Sequence, residues 1–256
     1  MANHANIIIK QNTQQLLIWL YSANGQERLV PYEQVKYLWP QLSDSGRRST
    51  IYYLSKQRFI NIHTQNRKKF LELSSFGMDW IEKNCFAISS TSRNWDGQWA
   101  LVAIYSNNVT DPNFRALRAL LGQYGAIAVE RGLYLIPSFI SVVLTEKLSK
   151  NYRNSVLVWG VQKWLFGDEK MFTFGKTGLL DLVELYSSFS KDLDELISFK
   201  KFKKTTIVSR TELVFNLYAR FNGLIKDDSG LTYYFFKNAP NAHFLLSRLQ
   251  ELSADL

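Results

Sequence analysis

Apolar residues recur every three or four positions along much of the chain and every second position in shorter stretches, the signatures of amphipathic helix and half-buried strand. Leu16, Leu17, Trp19 and Leu20 place an apolar stripe on a first helix from about Thr13 to Ala23, with Asn24-Gly25 to stop it. Pro31 can open a second helix, with Val35, Leu38 and Trp39 facing inward and Pro40 just beyond its end. Ser43 or Asp44 can cap a third, running to about Gln57. Phe59 to His63 alternates as a strand, Thr64 to Lys69 is a polar turn, and Phe70 to Leu73 is a return strand. Ser74 or Ser75 then starts a helix through Trp80 and Ile81. Three short helices followed by a hairpin predict a winged helix-turn-helix over residues 1–83.

Residues 84–94, polar from Ser89 to Asn94, read as a linker. From 95 to 163 the pattern is strand, helix, two strands, helix, strand. Trp99 to Tyr105 is apolar on both faces, and Asp111 or Pro112 opens a helix carrying Phe114, Leu117, Leu120 and Leu121 that ends near Tyr124-Gly125. Ala126 to Val129 and Gly132 to Ile136, closed by Pro137, are the next strands; a helix from Ser138 to about Lys150 and a strand from Ser155 to Val161 complete the order. That βαββαβ sequence predicts a ferredoxin-like domain. Residues 164–256 read as a helical domain. Leu182, Leu185, Phe189, Leu193 and Leu196 mark one helix, Leu213, Leu217 and Phe221 a second, and Phe244, Leu245, Leu246, Leu249 and Leu252 a last one. The expected fold class is α+β.

Composition narrows the function classes. Hydrophobic residues make up 46% of the 256 and aromatics 14%, enough for packed cores and incompatible with a disordered chain. A single cysteine, Cys85, excludes a disulfide framework or thiolate cage, and the three histidines lack ligand spacing, so no metal is expected. No signal peptide or membrane-spanning run is visible, which points to a cytoplasmic protein. The absence of a nucleophile elbow, a P-loop or a dinucleotide fingerprint predicts no catalytic residues and no cofactor. The net charge of +9 is unevenly spread. Residues 1–83 hold 11 Lys and Arg against 6 acids, residues 84–165 hold 8 against 4, and residues 166–256 hold 12 of each. The positive excess lies in the first two thirds, where it would attract a polyanion.

Projected at 100° per residue, the third helix divides into two arcs. Thr50, Ile51 and Leu54 share one, suited to a core, while Ser45, Arg48, Ser49, Tyr52, Tyr53 and Lys56 share the other. That outer arc is rich in hydrogen-bond donors, as a helix lying in a major groove requires. Arg47 falls on the core side at the helix start, within reach of a phosphate. Arg67, Lys68 and Lys69 at the hairpin tip suit backbone phosphates, which position a protein on a duplex without reading bases. Double-stranded DNA is therefore the expected partner.

The motif Trp95-Asp96-Gly97-Gln98-Trp99 is followed by Arg115-Ala116-Leu117-Arg118, Tyr124-Gly125 and Gly132-Leu133-Tyr134-Leu135-Ile136-Pro137. With this spacing and domain order, nearly the whole chain resembles the phenylacetate-degradation repressor (PaaX) family of bacterial transcription regulators. The resemblance implies a homodimeric, sequence-specific repressor and an acyl-CoA thioester as effector. It also implies a middle domain similar in fold to the small nuclease-like subunit of the CRISPR spacer-integration complex. In that relative a carboxylate ends the first strand; here Ile104-Tyr105-Ser106-Asn107 stands there, with no acid until Asp111. The family's Asp-Pro and Leu-Pro between the last helices are replaced by Lys226-Asp227-Asp228-Ser229-Gly230-Leu231. On the residues themselves, Gly97 allows a tight turn, Asp96 bonds that turn's backbone, and the two indoles anchor the segment to the sheet. The basic run Lys200 to Lys204 either meets phosphates or is a solvated connector. Two other readings stay open: a nucleic-acid-binding adaptor or defence-linked assembly protein without catalysis, and a relict nuclease acting through Asp111.

Overall fold

A computed structural model of the chain describes residues 11–22, 27–105, 112–198 and 207–254. They form an α+β protein with two antiparallel sheets. The chain divides into two units, Met1–Asn84 with Phe189–Gly223 and His243–Leu256, and Cys85–Ser188 with Leu224–Ala242. Asn24-Gly25, Ser106 to Asp111 and Lys200 to Lys204 lie outside the described residues.

Helix α1 (Gln11–Leu20) is the centre of the first unit. Every residue from Leu16 to Tyr21 is buried, so the stripe read from the sequence is only part of what the helix covers. After it come strand β1 (Val30–Pro31), a 3₁₀ turn (Tyr32–Gln34) and α2 (Val35–Leu38). Pro31, read as a helix opener, instead ends a strand whose partners are Leu71 and Phe70. Its fixed φ suits an extended residue as well as a helix start, and Pro is tolerated at a sheet edge. Helix α3 (Asp44–Lys56), strands β2 (Ile60–Gln65) and β3 (Lys68–Leu73), and α4 (Ser75–Asn84) follow. The sheet order is β1-β3-β2, which leaves β2 at an edge. Helix α4 crosses the start of β2 so closely that a methyl group on Gly77 would overlap the Phe59 carbonyl oxygen.

The second unit begins in the segment expected to be a linker, and there the expectation fails. Cys85 to Ser89 are buried, as is Ser92 in the short helix α5 (Ser90–Arg93). The Ser92 hydroxyl donates to the Phe86 carbonyl at 2.6 Å, and Ser89 Oγ accepts from the Ser92 N–H at 3.2 Å. These serines look polar in the sequence, yet their hydroxyls are spent on local backbone groups. Strand β4 (Trp99–Ile104), helix α6 (Pro112–Gln123), strands β5 (Ile127–Glu130) and β6 (Leu133–Pro137), helix α7 (Ser138–Asn151) and strand β7 (Val156–Val161) come next. The sheet order is β5-β6-β4-β7, with every neighbouring pair antiparallel. One face packs Ala100, Val102, Ile136 and Val156 under Leu117 and Leu121 of α6 and Ile140, Leu144 and Leu148 of α7. On the other face Trp99, Ile127 and Leu135 pack with Trp95, Leu179 and Leu231.

The last third is helical: α8 (Glu169–Lys176), α9 (Leu179–Ser198), α10 (Ile207–Ile225), α11 (Leu231–Phe235) and α12 (Ala242–Ala254). It was expected as one domain, but its residues are divided between the two units. The division follows the apolar partners. Trp19 of α1 meets the rings of Phe215 and Tyr218 at 4.9 and 4.7 Å, drawing α10 into the first unit. Tyr234 of α11 meets Trp95 at 4.6 Å within the second. On α9 the buried stripe is Leu179, Leu182, Tyr186, Phe189 and Leu193, while Leu185, expected inside, is half-exposed. Tyr186 takes the inward place because its hydroxyl finds a buried partner in Asp228 at 2.8 Å. On α12, Leu245, Leu246 and Leu249 are buried and Phe244, also expected inside, is exposed. Among the described residues, no helix is long and apolar enough to cross a membrane.

Candidate nucleic-acid interface

Helix α3 starts where the sequence has its cap: Ser43 Oγ accepts the Gly46 N–H at 3.2 Å. Ile51 and Leu54 then enter the core, and the 100° step turns the opposite arc to solvent. Ser45, Arg48, Ser49, Tyr52, Tyr53 and Lys56 are all exposed, Tyr52 by 68%. Arg48 Nε donates to the Asp44 carbonyl at 3.3 Å. The face therefore offers two cations, two phenols and two hydroxyls, all able to donate hydrogen bonds and none an acid.

Arg47 has another task. Its guanidinium donates to the carbonyls of Trp39 (2.9 Å) and Leu42 and pairs with Asp44 at 2.6 Å. The side chain is largely buried and ties down the turn between α2 and α3, so it is withdrawn from the exposed arc. Its hydrogen bond and charge hold the exposed Asp44 carboxyl below its ordinary range.

The hairpin is tighter than the six-residue turn read from the sequence. Thr64 pairs with Lys69 and Gln65 with Lys68, which leaves a two-residue turn, Asn66-Arg67, with φ of 50° and 65°. Positive φ at both turn positions matches the right-handed twist of the strands. Lys68 and Lys69 are thus strand residues, and successive strand residues point to opposite faces. Both are exposed, but they address different sides of the ribbon. His63, on the edge strand, meets Glu72 at 2.7 Å, and Asn61 donates to the same carboxylate at 3.2 Å. The His63 hydrogen bond is the main reason that the Glu72 carboxyl sits below its ordinary value.

Arg58 did not stand out in the sequence. Its φ is 64°, and the Phe59 N–H reaches back to the Leu54 carbonyl at 2.9 Å. This is the left-handed closure that usually takes glycine after a helix. An arginine held there stands in the wall of a cleft of about 730 Å³ together with Ser55, Gln57, Asn61, His63 and Ser75. The only signal in the sequence was its place between the end of a helix and the start of a strand.

In the second unit the Trp-Asp-Gly-x-Trp segment forms a joint. Gly97 has φ of 84°, Asp96 Oδ1 accepts the Gln98 N–H at 3.0 Å, and the two indoles meet edge to face at 5.0 Å. Trp95 Nε1 donates to the Gln98 carbonyl at 2.6 Å and Trp99 Nε1 to Glu169 at 2.6 Å. A methyl on Gly97 would overlap the Tyr234 hydroxyl. Gly125 and Gly132 also have positive φ, and Pro137 pairs with Trp99 across the sheet. Arg115 and Arg118 are exposed on α6, beside a hollow of about 330 Å³. Asp228, in the segment that departs from the PaaX pattern, is buried. It accepts from the hydroxyls of Tyr186 and Thr232, both at 2.8 Å, and from the Gly230 N–H at 2.7 Å. Burial raises its carboxyl above the ordinary value against the pull of these donors.

No family model matches the chain, and no curated protein matches it. Among solved structures it is similar to the uncharacterized protein Rv0674 from Mycobacterium tuberculosis, with 12% identity and a TM-score of 0.52. The match covers 96% of this chain and 94% of that one. At this identity the likeness concerns the fold.

Proposed function

We propose that the chain is a sequence-specific, double-stranded DNA-binding transcriptional regulator that acts as a repressor and works as a homodimer. Residues 1–83 are read as a winged helix-turn-helix that lays α3 in a major groove, with β2 and β3 as the wing. The four-stranded unit, with its βαββαβ order, is read as a ferredoxin-like scaffold and dimer contact. The observation that carries the reading is the division of α3: Ile51 and Leu54 are buried while Arg48, Ser49, Tyr52, Tyr53 and Lys56 stand together in solvent. A surface helix needs polar residues outside, but not an acid-free arc of long donors beside three further cations on the wing. The resemblance to the PaaX family, carried by Trp95-Asp96-Gly97-Gln98-Trp99 and the segments after it, supports the same reading.

The test is selection of bound duplexes from a random pool, followed by affinity measurement against a scrambled control. The expected product is a motif with two half-sites one helical turn, or a multiple of it, apart. Arg48→Ala should cost about 1–3 kcal/mol of binding and relax base preference at one position of each half-site. Equal affinity for selected and scrambled duplexes would remove the sequence-specific regulator and leave a non-specific nucleic-acid adaptor.

A further inference from the structure

The four-stranded sheet has two edges, and they are guarded differently. β5 is four residues long, its pairing with β6 is irregular between Ala128 and Glu130, and it ends on a charge. A short strand, a bulge and a charged residue each discourage strand addition. β7 has none of these. Its six residues, Val-Leu-Val-Trp-Gly-Val, pair with β4 without a shift and carry no charge and no proline. Leu157 and Trp159, on the same face by alternation, are 47% and 46% exposed, and a methyl on Gly160 would meet only open space. Just beyond the strand, Leu165 and Phe166 are 88% and 96% exposed. These four side chains leave on the order of 500 Å² of apolar surface in water, most of the ~800 Å² that each partner buries in a standard interface.

The hydrogen-bond phase of the ladder is also determined. The Tyr105 N–H donates to the Ser155 carbonyl at 3.1 Å, and Ala103, Leu101 and Trp99 continue that series opposite Leu157, Trp159 and Val161. Alternation then turns the backbone groups of Val156, Val158 and Gly160 away from β4, toward the open edge.

We propose that this edge is the contact with a second copy of the chain, two β7 strands pairing antiparallel about a two-fold axis at Val158. In that register Val158 exchanges both backbone bonds with the partner's Val158, and Val156 pairs with the partner's Gly160. All three outward residues are used, and Leu157 comes to stand opposite the partner's Trp159 on the face that carries Trp99, at the margin where both are half-exposed. The occupant is a copy because an edge strand turned about a two-fold meets its own donors and acceptors in complementary order. An uncharged edge offers nothing to a polyanion. The inference names the surface of the homodimer proposed above, yet it stands on the sheet alone and does not require DNA.

Sedimentation of the full chain at micromolar concentrations should show a dimer. Val158→Pro deletes one N–H that points outward and none that faces β4, so the fold should persist while the dimer weakens about tenfold or more. Should that variant lose its fold, Leu157→Lys at that half-exposed margin supplies the same readout. Oxidation of the double variant Leu157→Cys, Trp159→Cys should give a covalent dimer, since these positions face each other in the stated register. A monomeric parent chain, or a dimer that keeps its affinity in the folded variants, overturns the proposal. Failure of the chain to bind DNA would sink the regulator reading and leave this one standing.

Discussion

The edge strands β2 and β7 differ in the chemistry they offer. β2 shows Asn61, His63, Thr64 and Gln65 beside a cleft walled by Arg58, and its neighbour β3 adds Lys68 and Lys69. β7 shows leucine, tryptophan, valine and glycine, with no ionisable group in its length. A strand flanked by cations repels a second copy of itself and attracts phosphates, whereas a bare apolar strand gains most by pairing. The proposals above give the two sheets different partners, and this contrast in edge chemistry is what they rest on.

Salt should separate them most strongly. Raising ionic strength from about 50 to about 200 mM should weaken duplex binding roughly 10³- to 10⁵-fold if each dimer neutralises about six to ten phosphates. Dimerisation should change little or tighten, and sedimentation and binding titrations across the same salt series would read both. Comparable salt slopes for the two would break the contrast.

Core substitutions come next. Gly77→Ala forces a methyl onto the Phe59 carbonyl in the first unit, and Asp228→Ala strands the Tyr186 and Thr232 hydroxyls and the Gly230 N–H in the second. Each should cost about 2–3 kcal/mol. Calorimetry should show the first variant losing duplex retention before the dimer, and the second the reverse. Arg58→Gly should have mixed consequences. Glycine relieves the left-handed strain and should raise stability by about 0.5–1 kcal/mol. If Arg58 meets a phosphate, the same change lowers the salt slope by about 0.9 per protomer. A stabilised variant with unaltered slope would make Arg58 a purely local feature.

The smallest effect concerns acid. The Glu72 carboxyl lies below its ordinary value of 4.5, so its contribution to the wing is full above that pH and lost as pH falls through the lower folded value. Glu72→Gln should flatten the acid limb of stability and leave the curve at neutral pH nearly parallel to the parent's, as thermal melts at stepped pH would reveal.

Much of this was legible in the chain. The arcs of α3, its Ser43 cap, the Gly97 turn and the order of the four strands around α6 and α7 follow from local periodicity and turn chemistry, which act between near neighbours. Other features were not. Pro31 in a strand, Ser92 covered by Gly230, and Tyr186 inward in place of Leu185 each depend on a partner tens of residues away. The role of Arg47 is a nearer case: its helical position was clear, but its carbonyl acceptors Trp39 and Leu42 lie in a turn whose path the helical period does not give.

The sequence by itself determined which residues share a helix face or a strand face, because side-chain direction follows from the backbone period alone. Only the tertiary structure decided which of those faces stay in water. Every residue from Leu16 to Leu20 of α1 is buried whereas Leu157 and Trp159 are half-exposed, although both runs are apolar in sequence. Burial depends on what the rest of the chain brings alongside: Phe215 and Tyr218 of α10 return to cover Trp19, while among the described residues no strand but β4 pairs with β7.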